Sequence, residues 1–131
     1  MARSKVPDAP AGFADAGSEL WEKVLGSVPE AFELDDRELA ILSAACRQAD
    51  DVARLEIAVG EDGPMTTGSQ GQPVLHPAIV EARQGRLALS RLLGQLQIPD
   101  EDDEPRSLTS ARAKRAADVR WRRREVRRGS A

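Results

Sequence analysis

Apolar positions along this chain recur at three- and four-residue steps, the spacing that gathers side chains onto one face of a helix. The first such run covers 15–28. Leu20, Trp21, Val24, Leu25 and Val28 share a face, and Glu19, Glu22 and Lys23 occupy the remaining surface. Pro29 ends it, because the residue before a proline is pushed out of helical geometry. The longest run covers 34–59 and carries two adjoining seams. Leu39, Leu42, Cys46, Ala49 and Ala53 make one; Ile41, Ala45, Val52, Leu55 and Val59 make the other. A helix with two seams packs on two neighbours at once: the first helix on one side, and on the other the helix after Pro77 or a second subunit, which makes the second seam the candidate oligomerisation surface. Asp35 followed by Glu38 has the spacing of a capping box, with Asp in place of the usual Ser or Thr. Gly60 suits a left-handed helix cap. A further helix opens at His76-Pro77, since proline fits the first helical position. Its apolar stripe is Ile79, Ala82, Leu89, Leu92, Leu93 and Leu96, and Ile98-Pro99 stops it near Gln97.

Between the second and third helical runs lies a loop rich in glycine and proline: Gly63, Pro64, Gly68, Gly71 and Pro73. It is either a small hairpin, Met65–Thr67 against Pro73–Leu75, or an irregular loop; two such short strands are marginal alone. Gly68 and Gly71 are expected at positive φ, where a β-carbon is penalised. The spacing does not match a phosphate-binding loop, which needs a lysine after its last glycine.

Composition supports helices. The 131 residues include two Trp, two Phe and no Tyr, so the aromatic residues that favour strands are scarce. The expected class is all-α: a helical bundle with a long central helix, the Gly/Pro-rich loop and a basic C-terminal tail. Residues 1–11 are polar with two prolines and are read as a flexible arm, and 12–99 as the helical oligomerisation domain. Trp21 is either a core anchor or a binding platform, and the core role fits its apolar face better. Cys46 has no partner for a disulfide and reads as a small buried hydrophobe. No apolar run is long enough for a membrane span and no leader is apparent, so a soluble protein of a reducing compartment is expected.

Charge divides the chain. The net charge of −3 conceals −11 over residues 1–105, from nine basic and twenty acidic residues, and +8 over 106–131, from ten basic and two acidic ones. Five consecutive acids at 100–104 with Pro105 form an acidic linker. Residues 106–131 form the basic tail. A helix capped by Thr109 or Ser110 would run to about Arg128, but its apolar stripe (Ala113, Ala117, Trp121) is narrow, and the alternative is a segment disordered alone that folds on contact. The candidate nucleic-acid-binding residues are Arg112, Lys114, Arg115, Arg120, Trp121, Arg122, Arg123, Arg124, Arg127 and Arg128. Arginines contact phosphates and a lone Trp adds a stacking or wedge residue. The competing role for the tail is an arm that docks on an acidic body, its own or a neighbour's.

Chemistry-bearing clusters are missing from the pattern. His76 is the sole histidine and Cys46 the sole cysteine, so neither a nucleophile–base set nor a metal-ligand set assembles from sequence. His76 reads as part of the helix start. No catalytic residue, metal or cofactor is expected.

The order of the pieces resembles the small subunit of phage terminases, the DNA-packaging family of tailed double-stranded DNA phages. The resemblance covers 34–99, with a looser match in the tail. It comprises a long, partly acidic helix and a loop of the form G-x-x-x-T-G-x-x-G (Gly63, Thr67, Gly68, Gly71). His76-Pro77 then opens a helix with the stripe L-x-x-L-L-x-x-L (Leu89, Leu92, Leu93, Leu96). The resemblance implies a non-enzymatic homo-oligomeric ring in the host cytoplasm. It would bind double-stranded viral DNA and regulate the terminase large subunit, which carries the ATPase and nuclease. Some members carry an N-terminal recognition helix; here Glu19, Glu22, Glu30 and Glu33 would repel phosphate. Two other readings remain open: a small helical DNA-binding regulator, and a structural interaction protein with a basic arm.

Overall fold

The computed structural model describes residues 6–99 and 111–129. The described chain is mostly helical with one small antiparallel sheet. In order it forms α1 (Asp15–Ser27), α2 (Asp36–Asp62), β1 (Met65–Thr67), β2 (Pro73–Leu75), α3 (Pro77–Gln95) and α4 (Ala111–Gly129). The outermost N-terminal residues, the acidic linker and the Thr109 or Ser110 cap lie outside the described residues.

The core forms where α1 lies along the first half of α2. Trp21, Val24 and Leu25 meet Leu34, Leu42, Cys46 and Leu96, with Phe13, Leu20, Val28, Leu39, Ile41, Leu93 and Ile98 packed around them. Trp21 is 4 % exposed, which fits the anchor role. Its indole N–H donates to the Pro7 carbonyl at 2.9 Å, and its ring lies 5.9 Å from that of Phe13. The residues before α1 were expected to be a flexible arm as far as residue 11. Residues 6–10 have no regular element, but the Pro7 bond ties them to the core. A buried indole N–H needs an acceptor, and the nearby chain supplies it.

Asp50 sets the register of α1 against α2. Ala14, the residue before α1, has no side-chain cap of its own. Asp50 caps the helix from across the interface: its carboxylate accepts from Ala14 N–H at 2.8 Å and from Gly17 N–H at 2.7 Å. These donors belong to the unsatisfied first turn of a helix, where negative charge is favoured. Gly17 makes the approach possible, since a β-carbon there would lie 2.5 Å from Asp50 Oδ2 and 2.7 Å from the Cys46 carbonyl oxygen. The start of α1 therefore meets the middle of α2, and the two helices run antiparallel.

Both ends of α2 are locally determined. Asp35 and Glu38 form the reciprocal capping box, each bond 2.8 Å. At the other end the expected stop at Gly60 is wrong by three residues. Gly60 lies inside the helix with open space around its α-carbon, and Gly63 takes the cap at φ +82. Gly63 combines tolerance of positive φ with a following proline that forbids helix. A glycine in an exposed helical turn costs only about 1 kcal/mol, so Gly60 does not break it.

The loop between α2 and α3 is the hairpin. Met65 pairs with Leu75, Thr66 with Val74 and Thr67 with Pro73. Gly68 N–H donates to the Gln72 carbonyl at 2.7 Å, and Gly71 N–H to that of Gly68 at 3.0 Å. Only Gly71 of the two expected glycines has positive φ, at +80. At Gly68 a β-carbon would meet only the far end of the exposed Gln72 side chain, at 2.7 Å, which can swing aside.

α3 returns along α2 on a seam of small residues. Ala78, Ala82 and Gly85 are its buried positions, and a β-carbon on Gly85 would lie 2.7 Å from Val52 Cγ2. The stripe of large residues read from sequence is only partly buried: Ile79, Leu89, Leu92 and Leu93 are intermediate, Ala82 and Leu96 buried. α3 stops at Gln95, two residues short of the expected end, so that Leu96 can enter the core in extended backbone.

Candidate nucleic-acid interface

α4 carries all ten candidate nucleic-acid-binding residues. Arg112, Lys114 and Arg115 fall in its first half, and residues 120–129 are all exposed. Arg120, Arg123, Arg124, Arg127 and Arg128 are spaced i, i+3, i+4, i+7 and i+8, which puts them on one face. Arg122 lies on the opposite side, and Trp121, 59 % exposed, flanks the arginine face next to Arg124 and Arg128. Spread over 19 residues, the helix is about 28 Å long. The arginine face is thus a continuous cationic edge suited to phosphates, with an aromatic ring at its border. Sequence reasoning had grouped Arg122 with the rest, because density along the chain does not separate faces. Arg120 of this helix reaches the body: its guanidinium lies over the Phe32 ring, 5.9 Å from its centroid. That distance is within cation–π range.

The assembly seam is divided by the structure. Ala45 and Val52 are buried inside the chain, at 0 % and 7 % exposure, so a partner cannot reach them. Ile41 packs beside the core, while Leu55 and Val59 are half-buried. The assignment of this whole seam to assembly fails at Ala45 and Val52, which the chain's own packing buries; at Val52 the covering residue is Gly85 of α3, whose missing side chain lets the two helices come close. Exposed apolar surface appears elsewhere. Ile57 is 60 % exposed, two turns beyond Asp50 on the same face of α2, where α1 no longer covers it. Leu87 is 58 % and Val80 42 % exposed, seven residues apart on α3 and so on a common face.

No family model, curated protein or solved structure matches this chain.

His76 Nδ1 accepts from Ala78 N–H at 3.1 Å, which fixes the tautomer with hydrogen on Nε2, and Nε2 lies 2.9 Å from Asp62 Oδ2. Both ring nitrogens are thereby used, and neither has a lone pair free to take a substrate proton. The pair closes the neck of the hairpin by joining the end of α2 to the start of α3. An open groove of about 550 Å³ runs along α2 and α3, lined by Gln48, Asp51, Arg54, Leu55, Glu81, Gln84, Gly85 and Ala88. Asp51 and Arg54 are paired within it at 3.3 Å. Among the described residues no group of His, Cys, Asp or Glu is arranged to hold a metal, and no helix is long and apolar enough to cross a membrane.

Cys46 is fully buried, and its thiol pKa is pushed up to about 11, first by desolvation and second by the Asp50 charge. The thiolate is the reactive form, so iodoacetamide at pH 8 should leave Cys46 untouched in the folded protein and label it rapidly in urea. The folded pKa lies above the unfolded one. The associated stability is therefore complete below pH 9.0 and lost as pH rises toward about 11. Urea midpoints measured across that window should fall more for the native protein than for Cys46→Ala; parallel curves would refute the assignment.

Proposed function

We propose that this chain is a phage terminase small subunit, an oligomeric DNA-binding protein that presents viral DNA to the large ATPase/nuclease subunit in the host cytoplasm. The observation that carries this reading is the exposed arginine face of α4, joined to a body of opposite charge. A polyanion attracted by the tail is repelled by most of the body, so contact is confined and oriented. In this reading α1, α2 and α3 form a helical bundle around the long α2, and copies of the bundle assemble into a ring that multiplies weak phosphate contacts. The subunit supplies no catalysis; it positions DNA for the partner that does.

Ring assembly in this proposal uses the exposed apolar positions Ile57, Val80 and Leu87, with the half-buried Leu55 and Val59 at their margin. The double variant Ile57→Asp/Leu87→Asp places charges where a subunit contact would have to desolvate them. Because both side chains are exposed in the single chain, the fold should survive, with unchanged circular dichroism. The expected result in light scattering is a fall from a mass several times that of the 14.2 kDa chain to one or two copies. A native assembly unaffected by the double variant would move the interface to another face. A native protein that is itself a dimer would favour the small DNA-binding regulator over the ring.

A further inference from the structure

We infer that the corner between α1 and α2, residues 28–35, is a docking site for the arginine face of the same chain's α4, so that the body and nucleic acid compete for one set of arginines. The competition rests on the DNA-binding reading above; the docking site does not.

Phe32 is the centre of the site. It is 8 % exposed, yet it is not a member of the core cluster built around Trp21 and Leu42. Its N–H donates to the Pro29 carbonyl at 2.9 Å, a tight turn that presents the ring at the corner. Above that ring lies the Arg120 guanidinium. Exposed Glu30 and Glu33 flank Phe32, and exposed Asp36 opens α2 just beyond. An aromatic ring in a segment rich in exposed acids suits guanidinium groups: the ring attracts the cation through its face, and the acids add negative charge to the same short stretch of chain.

The face of α4 that docks is the one that phosphates would use. Arg120 stands at one end of the set that continues through Arg123, Arg124, Arg127 and Arg128. A rod about 10–12 Å across cannot lay the same stripe on the protein body and on a duplex together. The acidic corner is then more than a surface that repels DNA. It is an internal substitute for DNA that holds the arm until a stronger polyanion displaces it.

The test has two arms. The first needs no nucleic acid. With 4-fluorophenylalanine incorporated, the full chain has two fluorine resonances, from Phe13 and Phe32. Arg120→Gln should shift the Phe32 resonance and leave that of Phe13 in place; an unmoved Phe32 resonance overturns the docking site. The second arm measures binding to a duplex of random sequence. Glu30→Gln/Glu33→Gln should bind about three- to fivefold more tightly, the scale of two exposed charge pairs lost to the docked arm. Glu19→Gln/Glu22→Gln, the same charge change on the exposed face of α1, should stay within about twofold of the native protein. Equal gains in the two pairs reduce the effect to net charge and overturn the competition. Absence of duplex binding in every variant, with the Phe32 shift present, would remove the nucleic-acid function and leave the corner as the seat of α4.

Discussion

Removal of residues 106–131 is expected to abolish most duplex binding and to flatten its dependence on salt. Each cation that neutralises a phosphate releases condensed counterions, so the logarithm of affinity falls linearly with the logarithm of salt concentration. If about five arginines per engaged subunit reach phosphates, the slope is about −4 to −5. The truncated body, with its net charge of −11, has no comparable source of attraction. Circular dichroism of the body and the assembly mass should be unchanged, because the core and the exposed apolar positions lie before residue 100. Facial arrangement refines the expectation for single residues. Arg123→Ala or Arg124→Ala should weaken binding and reduce the slope by about one unit each. Arg122→Ala should do less, since its side chain leaves the helix on the opposite face. Trp121→Ala should lower affinity with little change of slope, as stacking releases no counterion. The measurement is duplex affinity over a salt series. Affinity and slope preserved in the truncated protein would transfer the DNA site to the body and recast the tail as an arm for the large subunit.

The second large effect is on stability. Asp50→Ala should destabilise the fold by about 2–4 kcal/mol, because the buried Gly17 N–H and the part-buried Ala14 N–H lose a charged acceptor and α1 has no side-chain cap of its own. Gly17→Val should cost at least as much. Its side chain would collide with the Asp50 carboxylate and with the Cys46 carbonyl, and the latter is backbone that cannot swing aside. Asp51→Ala, one residue away but exposed and paired only with exposed Arg54, should change stability by less than about 0.5 kcal/mol. Urea denaturation of the three variants separates these outcomes. A loss at Asp50 no larger than at Asp51 would mean that the cross-helix cap contributes nothing net. The Asp50 result bears on assembly too, since α1 held at this register leaves Ile57 uncovered.

Local chemistry in the sequence determined the elements of this protein. Helical periodicity located α1, α2 and α3, and the Asp35/Glu38 pair marked the start of α2, because the groups that decide such features lie within a few residues of one another. His76-Pro77 marked the start of α3 for the same reason, and the glycine and proline spacing admitted the hairpin. The asymmetry of charge between body and tail is likewise a property of composition. Tertiary structure decided what each face meets. Asp50 belongs to no local pattern in the sequence and becomes a buried cap only because Gly17, 33 residues earlier, lets α1 approach. Val52 reads as an assembly position until Gly85 of α3 closes over it. Phe32 reads as a loop residue until Arg120, 88 positions away, lies above its ring. In each case the decisive partner is distant in the chain, and its distance and direction depend on how closely two backbones pack, which no local pattern encodes.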